Sequence, residues 1–303
     1  AKCRFALTGT PIENSLMELW SIFDFIMSGF LSNEKKFREE FQIPITIDND
    51  KELLKELQRK IAPFILRRKK KDVLGELPNK IERKVIVDLN DEQKKIYTSL
   101  VNSINEEIDS NYDKSNLGKT KILVLSTLTK LRQICCDPSS IIEGYDGGSS
   151  KIDLLVDILT KSISDGHKIL VFSQFTSILK NVRETLDNVS ISSMYLDGEV
   201  KANTRIEMVD EFNKSNIPVF LISLKAGGSG LNLTSADIVI HLDPWWNPAV
   251  ENQATDRAHR IGQKNVVEVI KLISKGTIEE KIYNLQEKKK MLISDVIDGE
   301  EMD

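Results

Sequence analysis

Apolar positions along this chain follow two different rhythms. In the first half they recur at helical spacing: Leu16, Leu19, Trp20, Phe23 and Met27, then Leu53, Leu54, Leu57 and Ile61, then Ile122, Leu125, Leu128, Leu131 and Ile134. Phe5 to Thr8 reads as a short buried strand running into Gly9-Thr10-Pro11, and a chain that begins inside a strand suggests a piece of something longer. Thr10 is an N-cap candidate, Pro11 suits the first helical position and Glu13 completes a capping box. Asn49-Asp50 caps the second helix and Pro63 ends it. Lys84 to Leu89 alternates as a strand does, and residues 91–110 form a charged amphipathic helix. Gly144, Gly147, Gly148, Ser149 and Ser150 make a turn-rich stretch that reads as a boundary.

The second half alternates short apolar runs with helical patterns. The runs are Ile169–Phe172, Ile191–Tyr195, Val219–Ser223, Ile238–Leu242 and Val267–Ile270, with amphipathic segments such as Ile178, Leu179, Val182 and Leu186 between them. Strands of this kind are buried on both faces, so the pattern predicts an α/β fold with a parallel sheet covered by helices on both sides. A last helix is expected over 277–293, carrying Ile278, Ile282, Leu285 and Leu292.

With 303 residues the chain is long enough for two or three domains. Its 40% hydrophobic and 29% charged content is ordinary for globular protein, and no run approaches the ~18 apolar residues of a membrane span. The formal net charge of -4 excludes a protein that coats nucleic acid with its whole surface; any such contact must come from local basic patches. The strongest patch is Arg67-Arg68-Lys69-Lys70-Lys71, whose plainer reading is pairing with carboxylates such as Asp72 and Glu76. Cys3, Cys135 and Cys136 show no CxxC spacing, so neither a disulfide framework nor a zinc site is implied, and the three histidines stand apart. This usage fits an intracellular protein: cytoplasm and nucleoid if the source is archaeal or bacterial, nucleus if it is eukaryotic.

In a parallel sheet, ligands sit beyond the carboxyl ends of the strands, and three loops are read at such ends. Lys225-Ala226-Gly227-Gly228-Ser229-Gly230-Leu231-Asn232 follows a buried strand, and its glycines let backbone amides approach a phosphate or a nucleic-acid backbone. The plainer reading is a flexible turn; a dinucleotide fingerprint is excluded because the third glycine is missing. Asp243-Pro244-Trp245-Trp246-Asn247-Pro248 is a rigid aromatic turn, suited to an interdomain or DNA-backbone contact or simply to packing. In the third, Gln253, Arg257 and Arg260 share one face if the segment is helical. Two guanidinium groups and an amide suit a triphosphate, although a salt-bridged surface helix is the usual fate of such charges.

The loops gain meaning together. LTGTPIEN at 7–14, KILVFSQF at 168–175, ISLKAGGSGLNLT at 222–234 and DPWWNPAVENQATDRAHRIGQ at 243–263 occur in order. They closely resemble motifs III, IV, V and VI of Swi/Snf-type ATPases of helicase superfamily two. APFILRRKKKDV at 62–73 and LPNKIERKVIVDL at 77–89 also resemble that family, so the likeness runs from residue 5 to about residue 290. The resemblance implies two RecA-like lobes with ATP between them and magnesium held mostly by the first. The chain would then be the tail of lobe one (1–90, helical insertion at about 15–75), lobe two (91–276, helical insertion at about 93–148) and a C-terminal brace helix and tail (277–303). By the same resemblance Arg257 and Arg260 are arginine fingers positioned by Gln253, and Gly228, Gly230 and Asn232 face the nucleotide. Thr10, Gln174, Ser223, Lys225 and the run from Arg67 to Lys71 contact DNA, while Thr8, Trp245 and Trp246 couple the two sites.

The implied partners are double-stranded DNA, a DNA-bound protein to be remodelled and an N-terminal lobe of the same protein, with no membrane. The sequence contains neither a GxxxxGK[ST] phosphate loop nor a DExH box, so this chain alone is expected not to hydrolyse ATP. Rival readings are a strand-separating helicase of the same superfamily and a non-catalytic module that binds DNA or protein.

Overall fold

The computed structural model describes residues 3–8, 11–12, 15–66, 68, 75, 77–110, 117–226 and 230–298. The chain divides into two compact units: Ala1–Val73 with Trp246–Ala249 and Leu285–Asp303, and Leu74–Trp245 with Val250–Asn284.

The described part of the first unit is helical. Helix α1 spans Leu16–Ile26, α2 Glu34–Phe37, α3 Ile43–Thr46 and α4 Lys51–Ile61, with a π-helical turn at Arg38–Gln42 joining α2 to α3. Asp50 caps α4 as expected, its Oδ1 accepting from Glu52 N at 3.0 Å and Leu53 N at 3.1 Å. Ser15 caps α1, its hydroxyl accepting from Met17 N at 3.2 Å, while the expected cap Thr10 and its partner Glu13 lie outside the described residues. Such a cap is worth ~1 kcal/mol. Leu16, Leu19, Phe23, Phe37, Phe41, Leu57 and Ile61 form the core of this unit, joined by Val296 from the last helix.

The strand expected over Phe5–Thr8 is not formed, and Phe5 and Leu7 are 84% and 100% exposed. An extended segment becomes a strand only when a neighbour takes up its N–H and C=O groups, and the described residues of this unit include no strand to pair with.

Among the described residues six strands form, all in the second unit: β1 Lys80–Val87, β2 Ile169–Ser173, β3 Ser193–Leu196, β4 Val219–Ser223, β5 Ile238–His241 and β6 Val267–Ser274. They form one sheet in the order β1-β6-β5-β2-β4-β3, every pair parallel. The apolar runs show why. Ile169 and Val171 of β2 point into a core shared with α7 (Ser150–Ser164) and α8 (Thr176–Asn188). Leu170 and Phe172 point the other way, into a core shared with α9 (Ala202–Lys214) and with Ala254 and Ala258. Two-sided burial requires both alternating sets to be apolar, which is why these strands read as continuous runs.

Two stretches that the sequence singles out lie inside the second unit. Residues 80–87, read as the end of the first lobe, pair along their whole length with β6, from Lys80↔Val267 to Val87↔Ser274. The stretch 144–150 is a turn inside the second unit. Asn90 Nδ2 donates to Gly147 O at 3.0 Å, Ser150 N donates to Gln93 Oε1 at 3.2 Å and Gln93 Nε2 donates to Ile134 O at 3.1 Å, tying α5 (Asp91–Ser110) and α6 (Leu117–Cys136) to the start of α7. Helix α10 spans Pro248–Thr255, and α11, Ile278–Asp298, is longer than expected.

Candidate functional site

The carboxyl ends of the central strands β5, β2 and β4 meet at Asp243, Gln174 and Ser223. Ser173 and Ser223 are register partners at the ends of β2 and β4. Asp243, fully buried just past β5, accepts from Ser173 Oγ at 2.5 Å and from Gln174 N at 3.2 Å on one oxygen. Its other oxygen takes Arg132 Nη2 at 3.1 Å. Burial pushes the Asp243 carboxyl up to about 6, against the pull of Arg132 and the Ser173 hydroxyl. The chain leaves β4 by a turn in which Leu224 N donates to Ser173 O at 2.9 Å and Ala226 N to Ser223 Oγ at 3.3 Å. Lys225 stands exposed on that turn, and Gln174 Nε2 is a buried donor with no hydrogen-bond partner among the described residues. Gln174, Ser223 and Lys225 therefore share one edge of the sheet.

Gly228 lies outside the described residues. Past it, Gly230 has φ +37, a left-handed conformation that a side chain would strain. Buried Leu231 and Leu233 anchor the loop and leave Asn232 exposed between them, its carbonyl accepting from Asn213 Nδ2 at 2.8 Å. The loop then meets the arginine segment directly: Leu233 N donates to Arg257 O at 3.0 Å.

That segment is not the helix face the spacing suggested. Helix α10 ends at Thr255, and residues 256–262 form a succession of turns. They lead into the amino end of β6 rather than away from a strand's carboxyl end. Gln263 Nε2 donates to Ala236 O at 2.8 Å and Ala258 O at 3.2 Å, and its Oε1 accepts from the amides of Lys264 and Asn265. Buried Ala254 and Ala258 seat the segment on the sheet, and Gly262 turns it with φ +102. Gln253 is exposed on the last turn of α10, Arg257 half-buried and Arg260 exposed. The Arg257 guanidinium is held below its ordinary value by burial and by the nearby charge of Arg260, against which Asp256 acts.

The aromatic turn is packed as well as exposed. Trp245 N donates to Glu251 Oε1 at 2.6 Å, and the Arg132 guanidinium lies 5.8 Å from its ring centroid. Glu251 also receives Lys271 Nζ at 2.7 Å. Trp246, which groups with the first unit, is more exposed and accepts from Lys289 Nζ at 3.5 Å. Thr8 and Arg68 are exposed in the first unit, while Thr10, Arg67, Lys69, Lys70 and Lys71 lie outside the described residues.

Sequence reasoning missed several charged groups. Lys151 and Glu279 form a fully buried pair at 2.5 Å, with Cys136 Sγ 3.8 Å from the ammonium. Burial works against the Lys151 charge, but the Cys136 sulfur and the Glu279 carboxylate outweigh it and hold the group above its ordinary value. His241 is buried at the end of β5, its Nε2 2.9 Å from Thr255 Oγ1 on α10, and burial pushes it down to about 4. No local pattern marks these residues, because each partner lies 14 to 128 positions away. Among the described residues no group of three or more His, Cys, Asp or Glu could hold a metal ion, and no helix is long and apolar enough to cross a membrane.

Comparison with known proteins adds to this geometry. The SNF2-related domain model matches residues 1–140 and the helicase conserved C-terminal domain model residues 150–262. A Mycoplasma pneumoniae protein named an uncharacterized ATP-dependent helicase is 43% identical over 95% of this chain, which spans 27% of that relative's length. The Sulfolobus solfataricus SWI2/SNF2 ATPase core in complex with dsDNA is similar with 38% identity and a TM-score of 0.61, over 97% of this chain and 62% of that one. The C-terminal domain of the Sulfolobus solfataricus SWI2/SNF2 ATPase is similar with 36% identity and a TM-score of 0.59, over 72% of this chain and 90% of that domain.

Proposed function

The chain belongs to the SNF2-related family of ATP-dependent helicases, with its RecA-like parallel sheet, and from that premise we propose that it is the C-terminal part of the motor of an ATP-driven translocase on double-stranded DNA. The observation that carries the proposal is the bond from Leu233 N to Arg257 O, which joins the glycine loop to the two arginines in one piece. Arg257 and Arg260 then reach the phosphates of ATP, Gln253 helps to orient them, and Gly228, Gly230 and Asn232 border the nucleotide. Guanidinium groups of this kind stabilise charge on a transferred phosphoryl group.

Double-stranded DNA, with which the Sulfolobus core is in complex, is the partner carried over to this chain. Gln174, Ser223 and Lys225 at the carboxyl edge suit a phosphate backbone, with Thr10 and the run from Arg67 to Lys71 as further contacts. Backbone contacts carry little sequence preference, so the duplex is tracked rather than read. Thr8, Trp245 and Trp246 link the two sites. Binding and hydrolysis of ATP engage and release the arginines, and each cycle advances the second unit along the duplex without separating its strands. A DNA-bound protein in the path is displaced or remodelled.

The magnesium that ATP hydrolysis in this family implies does not fit the residues at hand: the described side chains offer no cluster for it, and the sequence has neither the phosphate loop nor the DExH box. Those ligands belong to an N-terminal lobe of the same protein. The test is ATP turnover by the purified chain with and without duplex DNA, beside the full-length protein. The full-length protein should be DNA-stimulated and the chain inactive; steady turnover by the chain that Arg260→Ala abolishes would refute this division of labour.

A further inference from the structure

Helix α6 of the insertion carries one arginine, Arg132, and it is buried to 3% exposure. Its Nη2 donates to Asp243 Oδ2 at 3.1 Å and to Pro244 O at 2.5 Å. The guanidinium carbon lies 5.4 Å from the ring centroid of Phe175 and 5.8 Å from that of Trp245. Phe175 belongs to the loop after β2 and Trp245 to the loop after β5. Asp243, between them, spends its other oxygen on Ser173 Oγ and Gln174 N. One guanidinium on the insertion thus touches or bonds through Asp243 to both loops at the carboxyl edge.

Stability does not require this arrangement. A buried ion pair is paid for by the desolvation of two charges, and apolar residues of similar volume commonly hold a fold as well or better. What this guanidinium supplies is direction: Nη2 donates at once to the Asp243 carboxylate and the Pro244 carbonyl while the flat group lies against two rings, which together allow few geometries, whereas apolar side chains slide. Gln174 and Trp245 are the residues whose placement would gain from that.

We propose that Arg132 is a positioning residue that latches the helical insertion to the β2 and β5 loops, so that Gln174, which meets duplex DNA, and Trp245, which couples the two sites, are held as one rigid unit. The DNA half of this inference rests on the function proposed above; the latch itself does not. Cutting the latch loosens both loops together and weakens the response to DNA more than the chemistry of hydrolysis. A residue that merely filled the space would be replaceable by an apolar one without either effect.

The experiment uses the full-length protein with Arg132→Lys and with the neutral pair Arg132→Met/Asp243→Asn, which strands no buried charge and keeps an acceptor oxygen for Ser173 Oγ and Gln174 N. Hydrogen exchange is followed over 173–176 and 243–246 and over the strands β2 and β5, with the melting temperature and the ATPase rate against duplex concentration. The neutral pair should melt near the wild type, and exchange in the two loops should rise together while the strands stay protected. The duplex concentration for half-maximal stimulation should rise about tenfold, the size expected when one or two well-placed hydrogen bonds to DNA are removed, with a smaller change in maximal turnover. Arg132→Lys should fall between, since it keeps the charge and loses the planar guanidinium and its ring contacts. Unchanged loop exchange in the neutral pair overturns the latch, as does a rise spread evenly through the strands. Loosened loops with an unchanged half-maximal duplex concentration overturn its role in DNA response. A wild-type protein without DNA stimulation refutes the function proposed above, and loop exchange then decides the latch alone.

Discussion

Replacing His241 by glutamine should change how the stability of this chain responds to acid. His241 is buried between β5 and α10, where desolvation pushes it down from 6.5 to about 4. Between those values the unfolded chain binds a proton that the native chain refuses, so acidification favours unfolding. The stability that neutral His241 contributes is complete above pH 6.5 and lost as pH falls through 4. At 1.36 kcal/mol per unit, a shift from 6.5 to about 4 amounts to ~3 kcal/mol in full and ~2.5 kcal/mol by pH 4.5. Asp243 works in the opposite sense. Its carboxyl is raised from 3.8 to about 6, so the native chain holds the extra proton in that window and acid stabilises it, again by ~3 kcal/mol. The two groups largely cancel between pH 4 and 6 in the wild type. His241→Gln keeps a polar partner for Thr255 Oγ1 and removes only one side of the balance. Urea unfolding of both chains from pH 4.5 to 7.5 is the assay, read as the difference in stability at each pH. The variant should gain ~2.5 kcal/mol on the wild type between pH 7.5 and 4.5, whatever constant offset the substitution adds. A difference that does not vary with pH would mean that His241 is hydrated and titrates normally, and the burial argument would fail. Thr255, which His241 bonds, is two residues ahead of Arg257.

The other expectations concern charge elsewhere in the chain. In the full-length protein Arg257→Ala or Arg260→Ala should lower ATP turnover on the order of a hundredfold or more, with little change in DNA affinity, because the guanidinium groups engage mainly in the transition state; near-normal turnover in both would make the segment a solvated surface. Lys151→Met strands the Glu279 carboxylate in the core and should cost ~3–5 kcal/mol in urea unfolding, and Lys151→Met/Glu279→Leu should recover most of it. An equal loss in both variants would show that the site needs the charges themselves. Replacing Lys69, Lys70 and Lys71 by alanine should flatten the salt dependence of duplex binding by the full-length protein, the slope falling by ~0.9 for each phosphate no longer neutralised. An unchanged slope would move the DNA path away from this run.

What the sequence determined by itself is local and periodic. Strands β2, β4, β5 and β6 stand where apolar runs placed them, because burial on both faces favours apolar residues in both alternating sets. Asp50 caps α4 because one carboxylate two and three residues ahead of free amides is a local device. The ordered loops that mark the family were also legible, since each is a contiguous stretch whose chemistry travels with it. Tertiary structure decided what depends on a distant partner. Residues 80–87 join the sheet only because β6, nearly two hundred residues on, offers a free edge, whereas Phe5–Thr8 has the composition of a strand and no described neighbour to make it one. The arginine segment leaves its helix at Thr255 because Gln263 ties it to Ala236 and Leu233 to Arg257, bonds that no helical period contains. Arg132 and Lys151 look like solvated charges in sequence. Their burial becomes tolerable only when folding delivers Asp243, 111 residues away, and Glu279, 128 residues away, to the same spot in a medium where an unpaired charge could not persist.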